Sequence, residues 1–223
     1  MGIGTKMEVS NLQKLNDDGY LYVPEIIIDP SNLYFPPPKD ENNNNKTGAL
    51  FYRDDDDVYF EPIDEHVPTS FSRYRHPSYR EIHALLGQAI ENILQIDLFP
   101  TYYYERCYWK GSVLERHVDR PACEISISVQ VSSNTKPWPI CFKKPNGEEA
   151  SVTMNNGDGV IYKGIEIEHW RNKLDSKYNS FQRYIKKLRK IDDDTYHHQI
   201  FFHYVKAQGN YVHFAYDRTY DRT

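Results

Sequence analysis

Two histidines and one aspartate are the residues of this chain whose types and spacing point most directly to chemistry. His117 and Asp119 lie two positions apart, and His169 follows 50 residues after Asp119. Residues i and i+2 of an extended segment face the same side, so the imidazole of His117 and the carboxylate of Asp119 would reach one point. His169 lies on a second alternating segment, where it shares a face with Arg171. Two histidines and one carboxylate held on a rigid sheet form a ligand set that holds non-haem Fe(II) with open coordination positions.

The His-x-Asp pair alone is weak evidence for a metal site, and on that evidence His117 is better interpreted as a surface or core histidine. The order of the segments favours a site. The pair opens the sheet-like half of the chain, and His169 comes late in that half, after a turn at Gly157–Gly159 and a short strand. The three cysteines are few, which agrees with nitrogen and oxygen ligands rather than a thiolate site.

Length, composition and charge limit the kind of protein this is. The 223 residues are enough for one medium domain or at most two, and an aromatic content of 14% argues against a disordered chain. The net charge of −5 gives no reason to expect duplex nucleic acid as a partner. No run approaches the roughly 18 to 20 apolar residues of a membrane span, and the start has no apolar core like a signal peptide. Three cysteines do not make a disulfide framework, so we expect a cytoplasmic protein without a membrane partner.

The first hundred residues predict few regular elements. Asn11–Leu15 has the composition of a short helix, and Tyr20–Ile28 is typical of an interrupted strand. The strongest helix signal covers Ser78–Leu94, where Ser78 and Glu81 have the spacing of a capping box and the apolar residues form one face. We interpret this helix as a brace for a sheet.

From residue 101 onward the pattern is that of short strands separated by turns. Glu124–Val131 alternates strictly, with apolar residues on one face and polar residues on the other. Short strands with turns between them are typical of a sandwich or barrel rather than a parallel sheet. Further strands are predicted at Tyr102–Trp109, Pro139–Lys143, Ser151–Met154, Val160–Tyr162, Ile165–Arg171 and Gln199–Val205.

Two long segments and a tail lie outside this pattern. We expect residues 36–77 to be a loop region and residues 172–196 to be a lysine-rich insertion over one mouth of the barrel. Loops on a rigid barrel carry specificity, so substrate choice is expected in these two segments. Asp54–Asp57 is interpreted as a solvated run rather than a calcium site, because consecutive carboxylates of an extended chain point to opposite faces. The repeated YDRT at the end is interpreted as a tail without chemistry.

Three motifs, in their order, resemble the 2-oxoglutarate- and Fe(II)-dependent oxygenases, most closely the branch of prolyl hydroxylases and phytanoyl-type hydroxylases. They are RCYWKGSVLERHVDRP (Arg106–Pro121), GDGVIYKGIEIEHWR (Gly157–Arg171) and QIFFHYV (Gln199–Val205). LNDDGYLYVP (Leu15–Pro24) is similar to the N-terminal strand of these enzymes, so the resemblance covers most of the chain. It implies one oxygenase domain over 1–223, with bracing elements over 1–100, a barrel core over 101–207 that contains the insertion, and a tail over 208–223.

The resemblance implies a mainly β fold with flanking helices, namely a double-stranded β-helix, the jelly-roll or cupin-like barrel of eight core strands. It implies that His117, Asp119 and His169 are the catalytic metal ligands that hold Fe(II) near one open end. There 2-oxoglutarate would bind through its keto acid, followed by O2, with ascorbate as a supportive reductant. Succinate and CO2 would be released as an unactivated C–H bond is hydroxylated. Asp119 favours hydroxylation over halogenation, because related halogenases lack this carboxylate.

The far carboxylate of 2-oxoglutarate needs a buried cation or hydroxyl as its partner. Relatives usually supply a basic residue at the start of the last core strand, but this chain departs from that spacing. Arg171 is the better candidate, because it lies two positions beyond His169 on the same face and offers a bidentate fork. Tyr108 lies where many relatives place a tyrosine on the cosubstrate carboxylate.

Alternatives remain for each of these cosubstrate residues. Arg171 would otherwise form a salt bridge with Glu168 or Asp175, and Tyr108 would otherwise serve in packing. The choice of an inward-facing residue among His198, Gln199 and His203 stays open.

Two other functions share this kind of barrel. One is a cupin-like metal-binding barrel with other metal chemistry, and the other is a non-enzymatic binding module that keeps the metal for structure. The first usually shows a third histidine or a glutamate close to the first pair, and Glu115 and Glu124 have the wrong spacing for that. A small-molecule or peptide substrate, such as a prolyl side chain, fits the resemblance, and the oligomeric state stays open.

Overall fold

Two β-sheets carry the fold, and the computed structural model describes residues 10–52, 58–61 and 66–217. From edge to edge, the larger sheet holds β1 (Tyr20–Val23), β10 (Gly159–Tyr162), β7 (Ile125–Ser133), β12 (Tyr196–Lys206), β5 (Leu98–Trp109), β4 (Ser70–Tyr74), β2 (Gly48–Tyr52) and β3 (Val58–Glu61). The smaller sheet holds β6 (Leu114–His117), β11 (His169–Arg171), β8 (Ile140–Lys143) and β9 (Glu149–Val152). Among these strands, β2 and β4 pair in parallel and the other pairs are antiparallel. The loop region predicted over residues 36–77 is wrong in part, because β2, β3 and β4 lie within it and extend the larger sheet.

The larger sheet buries both of its faces, and the alternation along β7 shows how. Ile125, Ile127 and Val129 pack outward in one cluster with residues of the flanking helices. The polar residues between them, Ser126 and Ser128, are also fully buried, and the Ser126 hydroxyl lies against the loop that follows β6. The polar face of this alternation therefore lines the space between the two sheets instead of facing solvent.

Side chains from both sheets meet in that space. Tyr108 of β5 and Phe201 of β12 pack with Leu114 of β6 in one buried cluster. Phe142 of β8 lies with its ring centroid 5.7 Å from that of Tyr162 on β10. The two sheets thus close on each other, and the mainly β fold with flanking helices predicted from the sequence is confirmed.

The helix α1 (Asn11–Asp18) confirms the short helix predicted near the start and extends it. The Ser10 hydroxyl accepts a hydrogen bond from the Gln13 amide at 3.1 Å and caps the helix. Gly19 ends it in the left-handed region at φ +79, where a residue without a side chain is favoured. Leu15 is buried in the outer core beside the larger sheet.

The helix α2 (Arg80–Leu94) packs its predicted apolar face on the larger sheet, with Leu86, Ile90 and Leu94 buried. The predicted capping box of Ser78 and Glu81 is wrong. Ser78 lies in a 3-10 turn before the helix, where its amide donates to the imidazole of His76. The proline at position 77 favours this tighter turn, because it has no amide to contribute.

The strand predicted at Ile165–Arg171 is wrong in its first half. The amides of Glu166 and Ile167 both bond back to the carbonyl of Lys163, so the chain turns there. The extended part is reduced to β11, which keeps His169 and Arg171 two positions apart on a strand. Likewise β1 ends before Pro24, which lacks the amide that the ladder needs.

The insertion contains the helix α3 (Ser180–Leu188), which begins with a capping box formed by Asn179 and Gln182. Asp54–Asp57 lies outside the described residues, and the tail is described as far as Asp217. None of the helices in the described ranges has the length and apolar character needed to cross a membrane.

Candidate metal centre and interior pocket

The structure brings His117, Asp119 and His169 together at the junction of β6 and β11. These strands pair with His117 directly opposite His169, and the centroids of the two imidazole rings are 4.3 Å apart. Asp119 follows β6, and its amide donates to the carbonyl of Gly164 at 2.8 Å. Its Oδ1 lies 3.6 Å from His117 Nε2 and 3.5 Å from His169 Nε2. Metal–ligand bonds of roughly 2.0–2.2 Å hold neighbouring ligand atoms at about this separation, so one ion fits between the three groups.

Backbone carbonyls set the orientation of both imidazoles. His117 Nδ1 lies 2.7 Å from the carbonyl of Glu115, and His169 Nδ1 lies 3.2 Å from that of Ile167. A carbonyl only accepts hydrogen bonds, so each Nδ1 carries a proton and each Nε2 points at Asp119. With Nδ1 held in this way, Nε2 is the atom that would bind a metal once its own proton is displaced.

The charges of the three groups depend on each other. Burial alone would raise the pKa of the Asp119 carboxyl, but the charge of His169 and the hydrogen bonds from His117 and His169 hold it well below its usual value. Burial lowers the pKa of His117, but its hydrogen bonds to Asp119 and to the carbonyl of Glu115 outweigh burial, so this pKa is raised. A divalent ion would compete with protons for the imidazole lone pairs and would meet an ionised carboxylate.

A cavity of about 310 Å³ opens over His117 and Asp119. Tyr102 and Tyr104 line it with their rings stacked at a centroid distance of 6.1 Å, and Arg106 and Arg120 line it as well. The side chain of His117 is 35% exposed and that of His169 only 3%, so the metal position is open on the cavity side and closed behind. A second reactant can therefore approach the ion from this mouth.

Behind the metal ligands, polar side chains without hydrogen-bond partners point into the barrel. The pairing of β12 with β5 places His197 opposite Tyr108 and Gln199 two positions further along the same face. All three are buried, and in the described part of the chain the Tyr108 hydroxyl, both His197 ring nitrogens and both Gln199 amide atoms make no hydrogen bond. The buried Ser128 hydroxyl of β7 also makes no hydrogen bond with the described residues. Unpaired buried polar groups are costly, so this cluster indicates a site for a polar ligand.

Arg171 supplies the positive charge of this interior pocket. Its guanidinium carbon lies 4.7 Å from the ring centroid of Trp138, and Nη1 donates to the Trp138 carbonyl. Nε and Nη2 make no hydrogen bond with any described residue, although Arg171 is 1% exposed. Burial lowers the pKa of Arg171 to about 10, which leaves it charged at neutral pH. A guanidinium with two free donors beside a tyrosine hydroxyl is suited to a carboxylate.

The alternative salt bridge of Arg171 to Glu168 is not formed. Glu168 lies instead 3.1 Å from Lys143 Nζ and 3.7 Å from Arg116 Nη1. Packing alone does not explain why Tyr108 stands at this position, because its buried hydroxyl has no hydrogen-bond partner among the described residues. Both residues predicted for the cosubstrate pack against the ring of Trp138, with Arg171 on the same strand as His169 and Tyr108 on β5.

The three residues left open on the last strand divide between the two faces of the sheet. Gln199 and His203 face the interior, where His203 Nδ1 lies 2.8 Å from the Ser126 hydroxyl. His198 faces outward and binds the buried carboxylate of Glu105. The sequence reasoning missed His197, although two-residue alternation back from His203 would have placed it in the interior.

Other residues singled out near the motifs have structural partners. Arg120 forms an ion pair with Asp217 and stacks with its guanidinium carbon 4.2 Å from the ring centroid of Tyr102, so it is held at the rim of the mouth cavity. Cys107 and Cys123 are buried, and burial raises the pKa of both thiols. A raised thiol pKa disfavours the reactive thiolate, which agrees with packing as their role.

Solved structures with this fold are numerous among 2-oxoglutarate/Fe(II) oxygenases. An oxidoreductase of the 2OG-Fe(II) oxygenase family from Burkholderia pseudomallei gives a TM-score of 0.55 at 11% identity, over 86% of this chain and 88% of that one. HygX from Streptomyces hygroscopicus, with nickel, 2-oxoglutarate and hygromycin B bound, gives a TM-score of 0.52 at 13% identity, over 86% of this chain and 85% of that one. A prolyl hydroxylase from Trichoplax adhaerens, in complex with a hypoxia inducible factor peptide fragment, gives a TM-score of 0.51 at 9% identity, over 86% of each chain.

No protein-family model matches the sequence, and no curated protein matches it. The likeness is therefore one of fold. The fold is the double-stranded β-helix of the 2-oxoglutarate/Fe(II) oxygenases, as the motifs predicted.

Proposed function

We propose that this chain is a non-haem Fe(II)- and 2-oxoglutarate-dependent oxygenase that hydroxylates an unactivated C–H bond and releases succinate and CO2. One observation carries the proposal: an open His117–Asp119–His169 cluster adjoins an interior pocket that holds an unpaired arginine and an unpaired tyrosine hydroxyl. The cluster provides ligands for a divalent ion, and the pocket provides the partners for a carboxylate.

The residues present fit the metal and the cosubstrate. Two neutral imidazoles and an ionised carboxylate hold Fe(II) on one side and leave the mouth side free. Arg171 and Tyr108 hold the far carboxylate of 2-oxoglutarate and fix its orientation relative to His169. Successive inward positions on a strand are roughly 6.6 Å apart, which allows one small dicarboxylate to reach from the metal to Arg171. The bound metal and cosubstrate supply the oxidising chemistry when O2 is present.

The substrate in this proposal is a small molecule or a peptide that enters the mouth cavity. The tyrosine rings that line it offer flat apolar contacts, and Arg120 at its rim offers a donor. The protein contributes by placing the substrate against the open side of the metal and by keeping water out of the closed side, where His169 is buried.

Turnover tests the proposal directly. The protein is incubated with Fe(II), ascorbate and 2-oxoglutarate, and succinate is measured with and without candidate peptides and small molecules. We expect succinate to form slowly without substrate and faster with the correct one. Separately, adding 2-oxoglutarate to the metal-loaded protein should change the absorption spectrum of the metal.

The matched control is an Arg171→Gln variant, which keeps the metal ligands. It should keep metal binding while losing the spectral response to 2-oxoglutarate. An absence of succinate together with an unchanged metal spectrum in the wild-type protein would exclude the oxygenase and favour a metal-binding barrel with other chemistry.

A further inference from the structure

The helix α3 turns its apolar side chains towards solvent. Phe181, Tyr184, Ile185 and Leu188 follow the i, i+3, i+4, i+7 spacing that forms one stripe on a helix. Phe181 is 72% exposed, Tyr184 59% and Leu188 62%, and no residue of α3 is buried. Ile191, just beyond the helix, is 50% exposed and extends the stripe. We refer to Phe181, Tyr184, Leu188 and Ile191 as the outer stripe.

The basic side chains of α3 lie along a surface cavity. Arg183, Lys186, Lys187 and Lys190 line this cavity of about 650 Å³ together with Lys110, and Tyr184 and Ile191 of the outer stripe also line it. Lys186 Nζ lies 3.3 Å from a carboxylate oxygen of Asp194, so the polar side of the helix is tied to the chain beneath it. A surface helix usually buries its apolar stripe, whereas α3 leaves its stripe exposed.

Positive charge surrounds the outer stripe. Residues 172–191 contain seven lysines and arginines and one aspartate, on a chain whose net charge is −5. Of the aspartates that follow at 192–194, Asp193 lies 3.6 Å from Lys110 Nζ and Asp194 lies 2.8 Å from Lys177 Nζ. Lys187 and Arg189 stay exposed, and helical spacing places them on opposite flanks of the stripe.

We propose that the outer stripe docks on an anionic lipid surface. The apolar side chains enter the boundary between headgroups and acyl chains, and Lys187 and Arg189 contact lipid phosphates on either side. Segregated apolar and polar faces, basic flanks and aromatic anchors are the combination typical of helices that lie in a membrane interface. This proposal departs from the expectation of no membrane partner, which was based on the lack of a membrane-spanning segment; a peripheral contact needs none.

Charge favours lipid over a second copy of this chain as the occupant. Two copies that met through their outer stripes would bring two basic segments together, and like charges oppose such a contact. A surface of anionic lipids offers the complementary charge and an apolar layer at once. The contact does not rest on the proposed oxygenase activity, because residues of α3 do not line the cavity over the metal ligands.

Co-sedimentation with vesicles tests this docking. The full chain is mixed with vesicles of phosphatidylcholine and with vesicles of equimolar phosphatidylcholine and phosphatidylserine, at low and high salt. We expect binding to the mixed vesicles that weakens with salt, and at least tenfold weaker binding to phosphatidylcholine alone. The Lys187→Gln/Arg189→Gln variant should bind mixed vesicles about 30-fold more weakly, which corresponds to about 1 kcal/mol for each basic residue.

The Phe181→Ser/Leu188→Ser variant should lose binding, and Leu85→Ser is its matched control. Leu85 lies on α2 and is 51% exposed, so its replacement removes a similar apolar side chain from another surface. Circular dichroism shows whether each variant remains folded. Absence of vesicle binding, or equal binding of the wild type and the stripe variant, would overturn the proposal. Sedimentation equilibrium that shows a dimer abolished by the stripe variant would also overturn it in favour of a second copy.

Discussion

At the scale of single residues, the candidate metal centre depends on side chains that are held before any ion arrives. The imidazoles of His117 and His169 are oriented by backbone carbonyls, and Asp119 is placed by its own amide bond to Gly164. Little conformational freedom is left to lose when an ion binds. The three ligands should therefore act as one unit. Removal of any one of them should weaken metal binding by more than one third of the binding free energy.

Replacing His169 with alanine tests this unit. We expect Co²⁺ binding, measured by isothermal titration calorimetry, to weaken more than about 100-fold, because loss of a direct ligand exceeds the cost of losing its supporting hydrogen bond. The control is His213→Ala, which removes an exposed histidine from the last 3-10 turn. A change of only a few fold in His169→Ala would mean that the ligands have been assigned wrongly.

Replacing Tyr108 with phenylalanine separates binding from packing in the interior pocket. The hydroxyl has no partner within the described residues, so its loss should leave the free energy of unfolding unchanged or slightly raised. If it binds the cosubstrate carboxylate, the dissociation constant for 2-oxoglutarate should rise about 3- to 10-fold, as expected for one hydrogen bond. Denaturant unfolding and calorimetric titration of the metal-loaded protein measure the two effects. A destabilised variant with unchanged affinity would instead assign Tyr108 to packing.

At the scale of elements, the turn before β11 controls the metal centre. A β-carbon added at Gly164 would lie 2.5 Å from Asp119 Oδ2 and 2.5 Å from the carbonyl oxygen of Cys123. Nothing larger than glycine fits without moving the ligand. The turn that shortened the predicted strand is thus the feature that holds Asp119 against the two histidines.

Gly164→Ala should therefore weaken Co²⁺ binding by about tenfold or more and lower the free energy of unfolding by about 1–3 kcal/mol, the usual range for overpacking. Gly111→Ala is the control, since a β-carbon there meets no atom within 4 Å. That control carries only backbone strain at φ +94, so it should lose stability without losing metal affinity. Equal metal affinity in the two variants would contradict the role given to Gly164.

The elements also show how far the sequence could predict this site. Strict alternation in β7 and helical spacing in α2 are local patterns, and both were predicted well. The turn at 163–168 was missed because its isoleucines and glutamates alternate like a strand, whereas the close approach of Gly164 to Asp119 decides the backbone course. Two-residue alternation from His203 places His197 on the inner face, but only the pairing of β12 with β5 shows that it lies opposite Tyr108.

At the scale of the whole molecule, the larger sheet packs an apolar core on its outer face and turns its inner face towards the smaller sheet, which carries His117 and His169. Its outer face packs against α1 and α2 in an apolar core that includes Leu15, Ile90 and Phe202. Its inner face carries the unpaired polar groups of Tyr108 and Gln199, which contribute nothing to stability without a ligand. The outer core therefore has to offset the cost of a polar interior.

Buried histidines make the stability of the whole fold depend on pH. Burial lowers the pKa of His83 to about 4 and that of His198 to about 3, and burial together with the charge of Arg171 lowers that of His197. A histidine in the unfolded chain has a pKa of about 6.5. As the pH falls below that value, the unfolded chain takes up protons that these folded side chains do not accept, until the folded pKa is reached. The free energy of unfolding should therefore fall with pH in this window, by up to about 1.4 kcal/mol per pH unit for each such histidine.

Urea unfolding at a series of pH values from neutral to moderately acid measures this loss. His117 opposes it, because its pKa is raised and its protonated form is favoured in the folded state, whereas His76 and His203 add to it, because burial lowers their pKa values to about 4 and about 3. His83→Gln keeps a donor for the carbonyl of His203. It should reduce the change in the free energy of unfolding per pH unit by about the amount that one buried histidine contributes. His213→Gln removes an exposed histidine and should leave the slope unchanged. A free energy of unfolding that stays constant as the pH falls from neutral to acid would show that these imidazoles are not buried in their neutral form.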